Sequence, residues 1–131
     1  MSNQTAVTSK PILLIEDEPS VTAFLRAALE RRGYIVVPAS SGAEGLKHLE
    51  KTDFGGVISD IRMPGAVNGA DVHDWIAAHR PDLKQRMILI SGDTANNETQ
   101  ALLANSRVPC IEKPFRVQNF ISVVESTFGK P

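Results

Sequence analysis

Five short aliphatic runs, each followed by a segment of helical length and period, restrict this chain to very few architectures. The runs are Ile12 to Ile15, Tyr34 to Val37, Val57 to Ser59, Met87 to Ile90 and Val108 to Ile111. Each is too short for a core helix and mostly aliphatic and β-branched, as strands covered on both faces are. Between and after them, Pro19 to Arg32 carries Val21, Phe24, Leu25, Ala28 and Leu29 at helical spacing, with Gly33 as a stop. Ser41 to Lys51 opens at a serine N-cap, Asn68 to His79 ends before Arg80-Pro81, and Thr94 to Ala104 and Arg116 to Phe128 complete the set. A βα unit repeated five times implies a parallel sheet with helices on both sides, because right-handed crossovers put them there.

The 131 residues allow one domain. A net charge of -1 gives no basic surface for nucleic acid or anionic lipid, so neither is expected as a direct partner. The single cysteine, Cys110, rules out an internal disulfide and fits a reducing compartment. No apolar run approaches the roughly 18 residues of a membrane helix, and Met1 to Lys10 is too polar for a signal peptide. The expected organisation is a mobile leader over 1–10, a compact unit over 11–128, a tail over 129–131, and a cytoplasmic location.

The chemistry collects where the runs end. Glu16, Asp17 and Glu18 follow the first, Asp60 ends the third, Ser91, Gly92 and Asp93 follow the fourth, and Glu112, Lys113 and Pro114 follow the fifth. In a parallel sheet these ends share one edge, where ligands bind at the topological switch point. Two carboxylates about 4 Å apart repel by roughly 4 kcal/mol at an effective dielectric near 20, so the cluster calls for cations. Lys113 supplies one, and the excess of hard oxygen ligands suits Mg²⁺ or Mn²⁺. A carboxylate beside such an ion and a lysine can attack phosphorus.

In their order and spacing, ILLIEDEP, ISDIRMPG, LISGD and IEKPF resemble the receiver (phosphoacceptor) domain of two-component response regulators, over Pro11 to about Phe128. The resemblance implies a flavodoxin-like (βα)5 three-layer fold with strand order 2-1-3-4-5. It makes Asp60 the phosphorylated residue, served by a sensor histidine kinase or phosphotransfer protein. Glu16 and Asp17 become the acidic pair for Mg²⁺, with the Arg62 main-chain carbonyl as a further ligand. Ser91 matches the hydroxyl that bonds the phosphoryl group, and Lys113 the lysine that pairs with it. The Lys113-Pro114 bond is often cis in this family. The chain is then a signalling domain rather than an enzyme, working on an unidentified downstream protein as a single-domain regulator, a homodimer, or a module of a hybrid kinase. Two rivals stand beside it: a degenerate receiver that only binds protein, and a haloacid-dehalogenase-like phosphatase, which calls for an acid where Arg62 stands.

Several positions depart from the pattern or fall outside it. Cys110 stands where receivers usually carry an aromatic ring, and a thiol cannot perform that ring's swing. Arg62 and Asp93, each two residues beyond a key side chain, are placed to pair across the mouth and to set the lifetime of an acyl phosphate. Trp75, off the Val72/Ile76 stripe, is expected to pack on a neighbouring helix, with a partner interface as the rival reading. His48, His73 and His79 lack metal-ligand spacing, and Gly69 is read as a turn former.

Overall fold

The computed structural model describes residues 10–131. The strands are β1 (Ile12–Ile15), β2 (Val36–Ala39), β3 (Gly56–Asp60), β4 (Met87–Ser91) and β5 (Cys110–Glu112). The helices are α1 (Pro19–Arg31), α2 (Gly42–Lys51), α3 (Gly69–His79), α4 (Asn97–Ser106) and α5 (Val117–Phe128), and Pro81–Leu83 adds a 3₁₀ turn before β4. All strand pairs are parallel, in the order β2-β1-β3-β4-β5. Apart from Lys10, the expected leader lies outside the described residues. Lys10 itself pairs with Asp53 at 3.1 Å.

Side chains alternate across the sheet, and each face has its own core. Leu13, Ile15, Val57, Met87 and Leu89 join Leu49, Val72 and Ile76 on one side. Ile12, Leu14, Ile58, Ile88, Ile90 and Ile111 meet Leu25, Leu29, Phe120, Val124 and Phe128 on the other. The period of two in the strands thus becomes two apolar layers under two sets of helices.

Element ends differ from the expected ones for identifiable reasons. After α1, the Gly33 N–H donates to the Glu30 carbonyl and the Tyr34 N–H to the Leu29 carbonyl, with Gly33 at φ +100°, a Schellman motif. Tyr34 is thereby committed to closing the helix, and β2 begins at Val36 rather than at Tyr34. β5 begins at Cys110 rather than Val108 because Pro109 has no N–H to give the ladder. The fourth helix starts three residues late, where Asn96 accepts hydrogen bonds from the N–H groups of Glu98 and Thr99. Ser41 caps α2 as expected, and Asn68 forms a capping box with Asp71 at α3.

Phe24 does not share the inward stripe of α1. Leu25 and Leu29 are buried on the sheet, whereas Phe24 is 52% exposed beside Val117 and Ile121 of α5. It lies about 100° around the helix from Leu25, which turns its ring away from the core. Trp75 packs against the core beneath α3 and stacks on His79, ring centroids 4.5 Å apart. His73 is buried, and its Nε2 has no hydrogen-bond partner among the described residues.

Candidate functional site

The switch point of the sheet lies between β1 and β3, where the chain leaves these neighbouring strands toward opposite faces. Glu16 and Asp17 follow β1 directly, and Asp60 is the last residue of β3. One carboxylate oxygen from each of Glu16, Asp17 and Asp60 lies within 4.8 Å of the others. Glu16 and Asp60 are buried, and Asp17 is half-buried at the rim. Such an arrangement of oxygens fits a hard divalent cation.

Lys113 enters from beyond β5. Its Nζ lies 3.0 Å from Asp60 Oδ2 and 3.4 Å from Glu16 Oε1. It is positioned by its own N–H, which donates to the Ser91 carbonyl, and the following Lys113-Pro114 bond is cis. Burial works against the lysine's charge, but Asp60 and Glu16 outweigh it and raise its pKa overall. Burial, reinforced by the Asp60 charge, drives the Glu16 carboxyl up to about 7, although the Glu18 N–H and Lys113 favour its ionised form. One ammonium therefore does not fully compensate the buried acids.

Ser91 ends β4 and is buried, and its Oγ accepts a hydrogen bond from the Asp93 N–H at 3.0 Å. The expected Arg62–Asp93 pair is not formed. Both side chains are exposed, and neither takes part in an ion pair among the described residues. The two rims turn these side chains to solvent, where a screened pair gains little. Cys110 is half-buried at the start of β5, and burial pushes its thiol pKa up, with Glu112 and Asp60 adding to the effect.

Two contributions were not read from the sequence. Gly69, the first residue of α3, approaches the end of β3 so closely that a β-carbon there would stand 2.6 Å from the Asp60 carbonyl oxygen and 2.7 Å from Ile61 Cα. Its N–H donates to the Ile61 carbonyl at 2.8 Å. Gly69 is thus a packing requirement behind Asp60, and its φ is not positive. Phe24 is the second, since its exposed ring lies with Ser20, Val21, Gly92, Lys113, Pro114 and Phe115 around a hollow at the edge of the site. The sequence signals were only a phenylalanine adjoining Leu25 on the helix for the one and a glycine beside the Asn68 cap for the other.

Five parallel strands in the order 2-1-3-4-5, flanked by helices on both faces, define a flavodoxin-like α/β domain with an acidic centre at its switch point. The family model for the response regulator receiver domain matches residues 12–125, and the chain belongs to that family of two-component signalling domains. It is 30% identical to the response regulator receiver protein CpdR of Brucella abortus, over 88% of this chain and 94% of that one. It is 32% identical to the sensor kinase CckA of the same organism, over 93% of this chain but only 13% of the kinase. Among solved structures, a CheY-like receiver from Methanospirillum hungatei superposes with a TM-score of 0.81 at 25% identity, covering 91% of this chain and 93% of that one. TrrA from Thermotoga maritima, determined in complex with Mg(2+)-BeF, gives 0.76 at 28% identity, covering 90% and 98%. Among the described residues no helix is long and apolar enough to cross a membrane.

Proposed function

We propose that the chain is a phosphorylation-switched signalling domain that takes a phosphoryl group onto Asp60 from the phosphohistidine of a sensor histidine kinase or phosphotransfer protein. The observation that carries the reading is the meeting of Asp60 with Lys113 and the Glu16/Asp17 acids at the switch point. Asp60 Oδ attacks phosphorus, the P–N bond of the donor breaks, and the imidazole nitrogen keeps the electron pair. Glu16, Asp17, Asp60 and the Arg62 main-chain carbonyl would hold Mg²⁺ or Mn²⁺. That ion, when bound, offsets the negative charge of acids and phosphoryl oxygens. Lys113, already at Asp60, supplies the second positive charge to the transferred group. The Ser91 hydroxyl, which now accepts from the Asp93 N–H, keeps its own proton for a phosphoryl oxygen.

The exposed Phe24 beside this mouth supplies an apolar contact for the donor as it docks. The added charge, about -1.5 to -2 by analogy with phosphoserine, biases a two-state equilibrium that downstream proteins read from the surface, in the cytoplasm. The reading holds equally for a stand-alone regulator and for a receiver module of a hybrid kinase.

The test is intact-mass measurement after incubation with acetyl phosphate and Mg²⁺. The expected result is a gain of one phosphoryl group in the wild-type chain, abolished by Asp60→Asn and by EDTA. No gain in the wild type would support a purely protein-binding module, and sustained turnover of small phosphate esters a phosphatase.

A further inference from the structure

The loop after β4 and the end of β5 are joined by one side-chain hydrogen bond. Thr94 Oγ1 donates to Glu112 Oε2 at 2.8 Å. Glu112 pairs with Ser91 in the β4/β5 register, so Thr94, three residues beyond Ser91, folds back over the strand pair that it has just left. Cys110 and Glu112 share one face of β5, two residues apart, and the Glu112 charge is felt at the Cys110 thiol. The Thr94–Glu112 bond therefore lies, two residues further along the strand, on the side of β5 that carries the half-buried Cys110.

From this geometry we infer that Thr94 and Glu112 form a clasp that holds the β4–α4 loop in its resting position and couples Ser91 to the surface around Cys110. The inference rests on the proposed role of Ser91 toward the phosphoryl group. The Asp93 N–H is bonded to Ser91 Oγ, so a hydroxyl that turns toward a phosphoryl oxygen on Asp60 draws Asp93 with it. Thr94 is the next residue, and the clasp opens as the segment moves. A side chain as small as Cys110 cannot wedge the loop, which leaves the Thr94–Glu112 bond as a side-chain tie from the β4–α4 loop to β5. Thr94 and Glu112 are positioning residues, since the side chain of neither hydrogen-bonds to Asp60 or to the Lys113 ammonium among the described residues.

Cys110 is the sole cysteine, so its reaction with a chromogenic disulfide reagent reports the state of the clasp directly. Thr94→Val keeps the shape and removes the donor, and Thr94→Ser restores it. The expected result is thiol labelling roughly threefold to tenfold faster in Thr94→Val than in wild type, the net loss of one solvent-exposed hydrogen bond, with Thr94→Ser close to wild type. Beryllofluoride with Mg²⁺ should raise the wild-type labelling rate toward that of Thr94→Val, and acetyl phosphate should modify Thr94→Val faster by a similar factor. Equal labelling of wild type and Thr94→Val overturns the clasp. A wild-type labelling rate indifferent to beryllofluoride, in protein that acetyl phosphate does modify, overturns its coupling to Ser91. Absence of any phosphoryl gain refutes the phosphoacceptor reading instead, and leaves the resting comparison to judge the clasp by itself.

Discussion

Lys113 Nζ stands 3.0 Å from Asp60 Oδ2, across a gap of 53 positions in the chain. The contact joins the ends of two strands that do not pair with each other, since β4 lies between them. Its partner carboxylate is buried, and so is Glu16, which the same ammonium reaches at 3.4 Å. The lysine thus holds together a site whose remaining charges repel. Removing it exposes that repulsion.

Lys113→Ala should cost about 1 to 3 kcal/mol of stability above neutral pH, below the range for fully buried pairs because the lysine is partly solvated. Urea unfolding in EDTA measures it. Mg²⁺ should recover part of the loss by replacing the missing positive charge, and phosphoryl gain from acetyl phosphate should be strongly slowed.

Stability of the metal-free protein should fall as pH rises from about 4.5 to about 7. Glu16 ionises near 4.5 when unfolded, but burial in the folded protein holds its proton to about 7. Across that window the folded state binds more protons than the unfolded one, so each rise in pH favours unfolding through this group. Below the window this group's favourable contribution is fully present, and above it the loss is complete and constant. Glu16→Gln should flatten this part of the profile in urea unfolding followed by circular dichroism. Added Mg²⁺ should stabilise the wild type more above pH 7 than below, because it binds the ionised acids.

Gly69→Ala should destabilise by about 1 to 3 kcal/mol, since the new methyl would meet main-chain atoms of Asp60 and Ile61. Thermal unfolding reads this, and the rate of phosphoryl gain should fall as Asp60 is displaced. Gly92→Ala is the control on the same rim: nothing lies within 4 Å of a β-carbon there, and stability should change little.

Phe24→Ala should change stability by no more than about 0.5 kcal/mol, given its exposed ring. Acetyl phosphate should modify the variant at the wild-type rate. Transfer from any phosphohistidine protein that serves the wild type should be slower, because that reaction alone needs docking. Equal transfer rates would remove Phe24 from the docking surface.

The order of elements was legible in the chain because aliphatic runs and helical stripes are local signals. Ile12 to Ile15 and Val57 to Ser59 could be nothing else at their length, and Ser41 and Asn68 announce their helices by capping chemistry. Placing Glu16, Asp17, Asp60, Ser91 and Lys113 on one edge required only that the strands be parallel. The boundaries of β2 and β5 escaped because Tyr34 N–H is claimed by a helix end and Pro109 cannot donate, and both are competitions between neighbouring elements.

By itself, then, the sequence determined the alternation of strands and helices, and with it which residues stand at the carboxyl edge. Tertiary structure decided the rest: that Lys113 reaches Asp60 and Glu16, that Arg62 and Asp93 face solvent rather than each other, and that Phe24 lies outside the core. It also decided that Gly69 must be small and that Thr94 meets Glu112. Periodicity follows from the geometry of one element and can be read along a line. The direction in which a rim side chain points depends on the packing of elements distant in the chain, and only the folded molecule brings them together.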